Sequence, residues 1–216
     1  MLEKMSDFFE ARLDGYDEHM LREIESATEF YPFTADLLPR GAGARILDLG
    51  CGTGLELEFY FSLNPSACVT GIDLSDGMLS ALRRKLVGRD ITLLCGSYFD
   101  LPFERCAYDA AVSVESLHHF TKTEKIGLYS KLHAALREGG FFILTDYFAD
   151  SDEAECGFRQ ALEALKRNEG VEDGALYHYD TPLTVAHETE ALLTAGFSSV
   201  EVLGHWGATY TLRATR

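Results

Sequence analysis

Five short apolar runs separated by helix-like stretches constrain this chain more than any other feature. They are ARILDLG (44–50), ACVTGID (67–73), ITLLCG (91–96), YDAAVSV (108–114) and GFFILTDY (140–147), each bounded by turn residues. Runs of this length without polar alternation suit strands covered on both faces. Between them, residues 55–63, 76–87 and 124–137 read as helices, the last closed by Gly139 and Gly140. Strand then helix, repeated, predicts a Rossmann-like, doubly wound α/β core whose sheet is mostly parallel, with right-handed crossovers.

The flanks are helical. Residues 7–38 form an acidic segment in which Pro32 and Pro39 are expected to act as breaks. After the fifth run, 152–169 reads as a helix, followed by the turn-rich, aromatic VEDGALYHYDTP (171–182). A further helix over 184–195 ends at Gly196, and the tail reads as two strands joined around Gly204 to Gly207. Those strands are expected to close a seven-stranded sheet as an antiparallel hairpin.

Composition narrows the class. With 46% hydrophobic and 25% charged residues, 216 residues can bury a core without disulfide or metal staples. The five cysteines are scattered and form no C-x-x-C pair, so packed, reduced thiols and no metal are expected. The net charge of −16 is uneven, with 10 acidic against 4 basic side chains in 1–40 and 11 against 3 in 150–190. A polyanionic partner wants a basic face, so nucleic acid is disfavoured. Arg83, Arg84, Lys85 and Arg89 read as a dipole-matched helix end. No stretch approaches the roughly 20 apolar residues of a membrane span, and the start lacks a signal-peptide layout, so no membrane association and a cytoplasmic location are expected.

The residues richest in chemistry are ILDLGCGTGLELE (46–58): a strand, an acid, three glycines at alternate positions, then a helix start. Glycine lets a backbone turn sharply and approach a ligand with no side chain between them. About twenty residues on, GIDLSDGML sets Asp73 at a strand end, where a carboxylate can accept hydrogen bonds from a ribose diol. Dinucleotide enzymes carry G-x-G-x-x-G for a pyrophosphate. This loop reads G-x-G-x-G after Asp48.

That pattern resembles motif I of the class I S-adenosylmethionine-dependent methyltransferases. CGSYFDLPF (95–103), VSVESLHHF (112–120) and LREGGFFIL (136–144) are similar to later segments of the family, in the same order. FFEARLDGYDEHM (8–20) resembles the helical lid of small-molecule members, and the tail resembles both these and carboxy-S-adenosylmethionine synthases. The resemblance implies one methyltransferase domain over 1–216: a lid (1–40), a cofactor-binding core (41–149), an acceptor-side helical insertion (150–190) and closing strands (191–216). It implies S-adenosylmethionine as cofactor and S-adenosylhomocysteine as product. The cofactor residues it implies are Tyr16, Asp48, Gly50, Cys51, Gly52, Thr53, Gly54, Asp73, Leu74, Met78, Ser97, Tyr98, Phe99 and Val114. Ser97 stands where the family usually has an acid.

A sulfonium methyl donor needs its acceptor held in line at roughly 3 to 3.5 Å with water excluded. A hydroxyl or protonated amine must also lose a proton. His118 and His119 follow the fourth run, at the end that faces the crevice of a doubly wound sheet, and are the candidate bases. Glu115 is a third catalytic candidate, Asp146 and Tyr147 are expected to border the acceptor, and Tyr177, His178 and Tyr179 to belong to a lid. No proline precedes a cysteine and no Asn-Pro-Pro-Tyr loop is present, against methylation of nucleic-acid bases. The acidic flanks favour a neutral or cationic small molecule such as an amine. A carboxy-S-adenosylmethionine synthase, an RNA methyltransferase and a non-catalytic cofactor-binding regulator remain alternatives, and a homodimer remains open. The synthase needs a cationic clamp, and 171–182 holds no Lys or Arg.

Overall fold

The computed structural model describes residues 2–171 and 175–216, so Glu172, Asp173 and Gly174 of the aromatic turn-rich run lie outside the described residues. Its sheet has the order β3-β2-β1-β4-β5-β7-β6. The strands are β1 (Arg45–Leu49), β2 (Cys68–Asp73), β3 (Asp90–Cys95), β4 (Tyr108–Val114), β5 (Leu136–Tyr147), β6 (Ser199–Trp206) and β7 (Thr209–Thr215). The first five are parallel, and β7 runs antiparallel to both β5 and β6. The expected core and closing hairpin are both present. Coverage differs from strand to strand: β4 is almost wholly buried, whereas the edge strand β3 is half-open.

Eight helices accompany the sheet among the described residues: α1 (Met5–Ala11), α2 (Tyr16–Glu23), α3 (Ala27–Asp36), α4 (Leu55–Leu63), α5 (Asp76–Lys85), α6 (Lys122–Ala135), α7 (Asp152–Glu169) and α8 (Val185–Thr194). Side-chain caps start several of them. Ser75 accepts from the Met78 N–H at 3.1 Å, and Thr121 with Glu124 forms a capping box. Arg83, Arg84 and Lys85 occupy the last turn of α5, as the dipole argument expects.

Two expected breaks lie elsewhere. Pro32 sits inside α3 and does not end it. A proline removes one intrahelical bond, and burial of Phe30, Tyr31 and Ala35 against Ile46 and Tyr60 holds the helix together. Gly204 lies within β6 at a register shift, and the hairpin turns at Gly207, whose φ is +55°. A Cβ at Gly204 would approach the Trp206 and Phe33 rings at 3.1 and 3.2 Å, so close packing accounts for that glycine.

The strand order reverses between β1 and β4, which opens a crevice at their carboxyl ends. The segments after β1, β2 and β4 meet there, and α1 and α2 lie across it. Glu10 of α1 accepts from the Ser75 hydroxyl at 2.6 Å and the Gly77 N–H at 3.2 Å. The chain preceding and opening α1 is laced to the segment before α8: the Met5 N–H donates to the Leu176 carbonyl, and the His178 N–H to the Glu3 carbonyl. No described helix is long and apolar enough to cross a membrane.

Candidate functional site

The glycine loop leaves β1 in a left-handed conformation at Gly50, Gly52 and Gly54, with φ of +75°, +48° and +76°. At Gly50 a Cβ would lie 2.0 Å from the Ser116 hydroxyl oxygen, so backbone strain and contact both demand glycine. Asp73, at the end of β2, accepts the Gly52 and Ser75 N–H groups, both at 2.9 Å. Burial pushes its pKa up and these backbone donors oppose the shift. Thr53 donates its hydroxyl to Asp17 of α2, whose carboxylate also pairs with Lys85. The N-terminal helix α2 is thereby tied to the loop.

A narrow cleft of about 50 Å³ follows this loop. Tyr16, Gly50, Gly52, Asp73, Leu74, Met78, Tyr98 and Val114 line it, together with Glu115 and His119. These come from five separate segments, and the sequence singled out all of them. Met5, Phe9 and Ser116 line it too and were missed: nothing local marks α1 as folding back over a loop 40 residues away, and Ser116 lies unmarked between Glu115 and His118. The remaining predicted residues sit outside this lining. Cys51 packs its sulfur beneath Gly71, Thr53 faces Asp17, and Gly54 faces Leu82. Ser97 accepts the Phe99 N–H at 3.1 Å, and Phe99 packs edge-on against Phe120. Both shape the loop after β3, whose carbonyls at Phe99 and Leu101 each receive the Lys131 ammonium at 2.9 Å. Asp48 is buried behind the glycines.

On the far side of Glu115 and His119 a cavity of about 810 Å³ opens beneath α1 and α2. Its walls include Phe8, Phe9, Tyr16, Tyr147, His178 and Trp206, with carboxylates from Asp14, Glu25, Glu115 and Asp180. Tyr147 is among these walls and Asp146 is not, and His178 enters through its stack on Phe8, ring centroids 3.5 Å apart. Arg12 is the cavity's Lys or Arg among the described residues. Its guanidinium lies 3.6 Å from the centre of the Phe8 ring and 3.1 Å from a Glu3 oxygen.

The two histidines differ electrostatically. His118 Nδ1 lies 2.5 Å from Asp146, its Nε2 lies 3.5 Å from Asp180, and Glu115 stands 3.9 Å away. Burial lowers its pKa, but the three carboxylates overcome that and carry it to about 10. Asp146 is fixed below by the Leu117 and Tyr147 N–H groups at 2.8 and 2.9 Å. His119 is pushed the other way, by burial and by the charged His118, against the pull of Asp180. Its Nδ1 faces the Tyr179 carbonyl at 3.3 Å and Asp180 at 3.2 Å. A proton on Nδ1 satisfies both acceptors and leaves Nε2 basic. Glu115 has a left-handed φ of +48°, and burial beside Asp146 lifts its carboxyl to about 7, opposed by His118 and the Thr209 hydroxyl. Strain of this kind at a non-glycine residue gathers at working sites.

Asp180 went unnoticed in the sequence, lying in HYDTP with no periodicity to mark it. Against its burial, both imidazoles hold its carboxyl well below the usual range. His118, His119 and Asp180 have donor atoms spaced as a metal ion would accept them, an arrangement the sequence did not suggest. Asp180 Oδ1 lies 3.5 Å from His118 Nε2 and 3.2 Å from His119 Nδ1, an arrangement that can also pass a proton between them.

A methyltransferase domain model matches residues 46–140. The chain is 31% identical to a carboxy-S-adenosyl-L-methionine synthase from Citrifermentans bemidjiense, over 74% of this chain and 71% of that protein. It is 29% identical to 24-methylenesterol C-methyltransferase 3 of Arabidopsis thaliana over 59% of this chain, and spans only 37% of that protein's length. A solved S-adenosylmethionine-dependent methyltransferase from Mesorhizobium loti superposes with a TM-score of 0.61 at 23% identity, covering 86% of this chain and 96% of that one.

Proposed function

This chain belongs to the class I S-adenosylmethionine-dependent methyltransferases, and from that premise we propose that it methylates a small molecule held in the cavity beneath the lid. The observation that carries this reading is that Phe9, Tyr16, Glu115 and His119 line both the narrow cleft and the large cavity. A methyl group passing from one to the other crosses between these side chains, of which His119 is the candidate base.

The cofactor fits the chain's own features. The bare glycine loop brings backbone to the cleft, Asp73 keeps free lone pairs for a diol, and the apolar Leu74 and Met78 border it. Asp48 Oδ2 and Glu56 Oε1 are buried acceptors with no hydrogen-bond partner. With α1 seated, the cleft is far below the roughly 300–1,000 Å³ of ordinary ligand sites. The lid must therefore shift for entry. When bound, S-adenosylmethionine supplies a methyl group on a sulfonium.

In this reading His119 Nε2 takes the proton from the acceptor, and Asp180 stabilises the imidazolium that results. His118, already charged between Asp146 and Asp180, positions that carboxylate and does not act as a base at neutral pH. The lid, returned over the cavity by the pairing of 3–5 with 176–178, keeps water out. Four carboxylates against the engaged Arg12 and the charged His118 leave an acidic excess that favours a cationic amine acceptor, and the aromatic walls suit its alkyl and ammonium parts. Transfer of labelled methyl from S-adenosylmethionine to a panel of amines, phenols and carboxylic acids tests this. The amines are expected to be labelled; turnover confined to acids would end it.

The similarity to carboxy-S-adenosylmethionine synthases sustains a second reading. That activity calls for a cation to hold an extra carboxylate, and Arg12 is already engaged by Glu3 and Phe8. Mass spectrometry of the nucleoside products separates the two.

A further inference from the structure

The cavity beneath α1 and α2 is far larger than the smallest amines need. An amine of one or two carbons takes the room of about three waters, each about 30 Å³, and leaves most of the 810 Å³ wet. Water beside the transferring methyl defeats the exclusion on which transfer depends. The size therefore calls for an acceptor with a body as well as a nitrogen.

The lining is unevenly divided. Glu115, His118, His119 and Asp180 gather around the junction with the cleft, whereas Met20, Ile24, Trp206 and Ala208 form an apolar wall of the same space. Thr209 joins the two parts. Its hydroxyl donates to Glu115 Oε1 at 3.1 Å, and across the β6–β7 ladder it pairs with Trp206. Paired residues share a face of the sheet, with Cβ atoms about 5 Å apart. The indole thus stands one cross-strand step beyond the Glu115 carboxylate.

That ring is held in place by the protein itself. Its Nε1 donates to Glu29 at 3.0 Å, and Phe33 meets it edge-on with centroids 5.1 Å apart. Phe30 is tilted against it, so no ring lies stacked on the indole among the described residues. Phe8, another aromatic wall, is already taken: Arg12 lies 3.6 Å from its centre and His178 stacks on it at 3.5 Å.

We propose that Trp206 sets acceptor specificity, and that the acceptor is an amine with an apolar body, an aryl ring on a short chain or an alkyl chain of comparable reach, which lies on the indole while the nitrogen sits at His119. The inference rests on the amine reading above and names the kind of amine.

Steady-state methyl transfer to ethylamine, butylamine, hexylamine and phenethylamine tests this on the intact chain. The kcat/KM is expected to rise about fourfold for each methylene buried. Trp206 is the chain's single tryptophan, so its emission reports the contact directly. Hexylamine and phenethylamine, added with S-adenosylhomocysteine, are expected to shift that emission, and ethylamine to leave it unmoved. Trp206→Ala, checked for folding by thermal melts, is expected to lower the hexylamine-to-ethylamine ratio of kcat/KM by about tenfold. Equal kcat/KM along the series, emission unmoved by hexylamine, or a ratio unchanged in the folded variant would overturn the proposal and leave amine methylation standing. Absence of label on every amine would instead remove the amine reading, and this inference with it.

Discussion

The two halves of the site are built differently. The side proposed for the cofactor consists mainly of short loops that leave β1, β2, β3 and β4 directly, with Met5, Phe9 and Tyr16 of the N-terminal helices closing it. The acceptor side gathers α1, α2, the loop after β4 and the segment 175–180, which no single strand positions. Strand-end loops inherit a register from their sheet; a lid must be assembled from distant pieces whose contacts are individually weak. The first half is accordingly narrow and the second wide.

Substitutions sharpen that contrast. The largest effect is expected at the junction, where His119→Ala should lower kcat by about 10² to 10⁴ and leave calorimetric S-adenosylhomocysteine affinity unchanged. If affinity falls in step, the side chain belongs to the cofactor half and the division fails. Gly50→Ala should act on the other half, weakening S-adenosylhomocysteine by about 10- to 100-fold, because its Cβ meets Ser116 and its φ disfavours a side chain. Asp73→Ala should cost about tenfold in the same titration, with acceptor KM untouched.

Asp180→Asn is expected to lower kcat more than it raises acceptor KM in steady-state assays. It keeps the shape and removes the charge that stabilises the His119 imidazolium. A change confined to KM would make the residue an acceptor-binding group alone. The smallest effect concerns stability. His118 is raised from 6.5 to about 10, so between those values the folded chain binds more protons than the unfolded chain. Its contribution is complete below pH 6.5 and lost as pH rises toward 10. Thermal melts across that range should fall less steeply in His118→Gln than in the parent.

Legibility followed the same division. The chain's apolar runs marked the first five strands, and the spacing of Gly50, Gly52 and Gly54 marked the loop, since both signals are local. Leu74, Met78 and Val114 were reached through resemblance and all line the cleft. Ser97, Phe99, Cys51 and Thr53 were named by position in a motif, yet their side chains turn to the protein, because a motif records where backbone passes and not where a side chain points. Pro32 misled because a helix interior buried against α4 tolerates one lost hydrogen bond.

The sequence by itself determined the alternation of elements, the glycine turn and the acid at the end of β2, each a consequence of backbone sterics or strand periodicity within a dozen residues. Tertiary structure alone decided that His118 is charged and His119 neutral, and that Asp180 joins them. Charge state depends on burial and on neighbours within a few ångströms, and those neighbours come from segments that only the fold brings together.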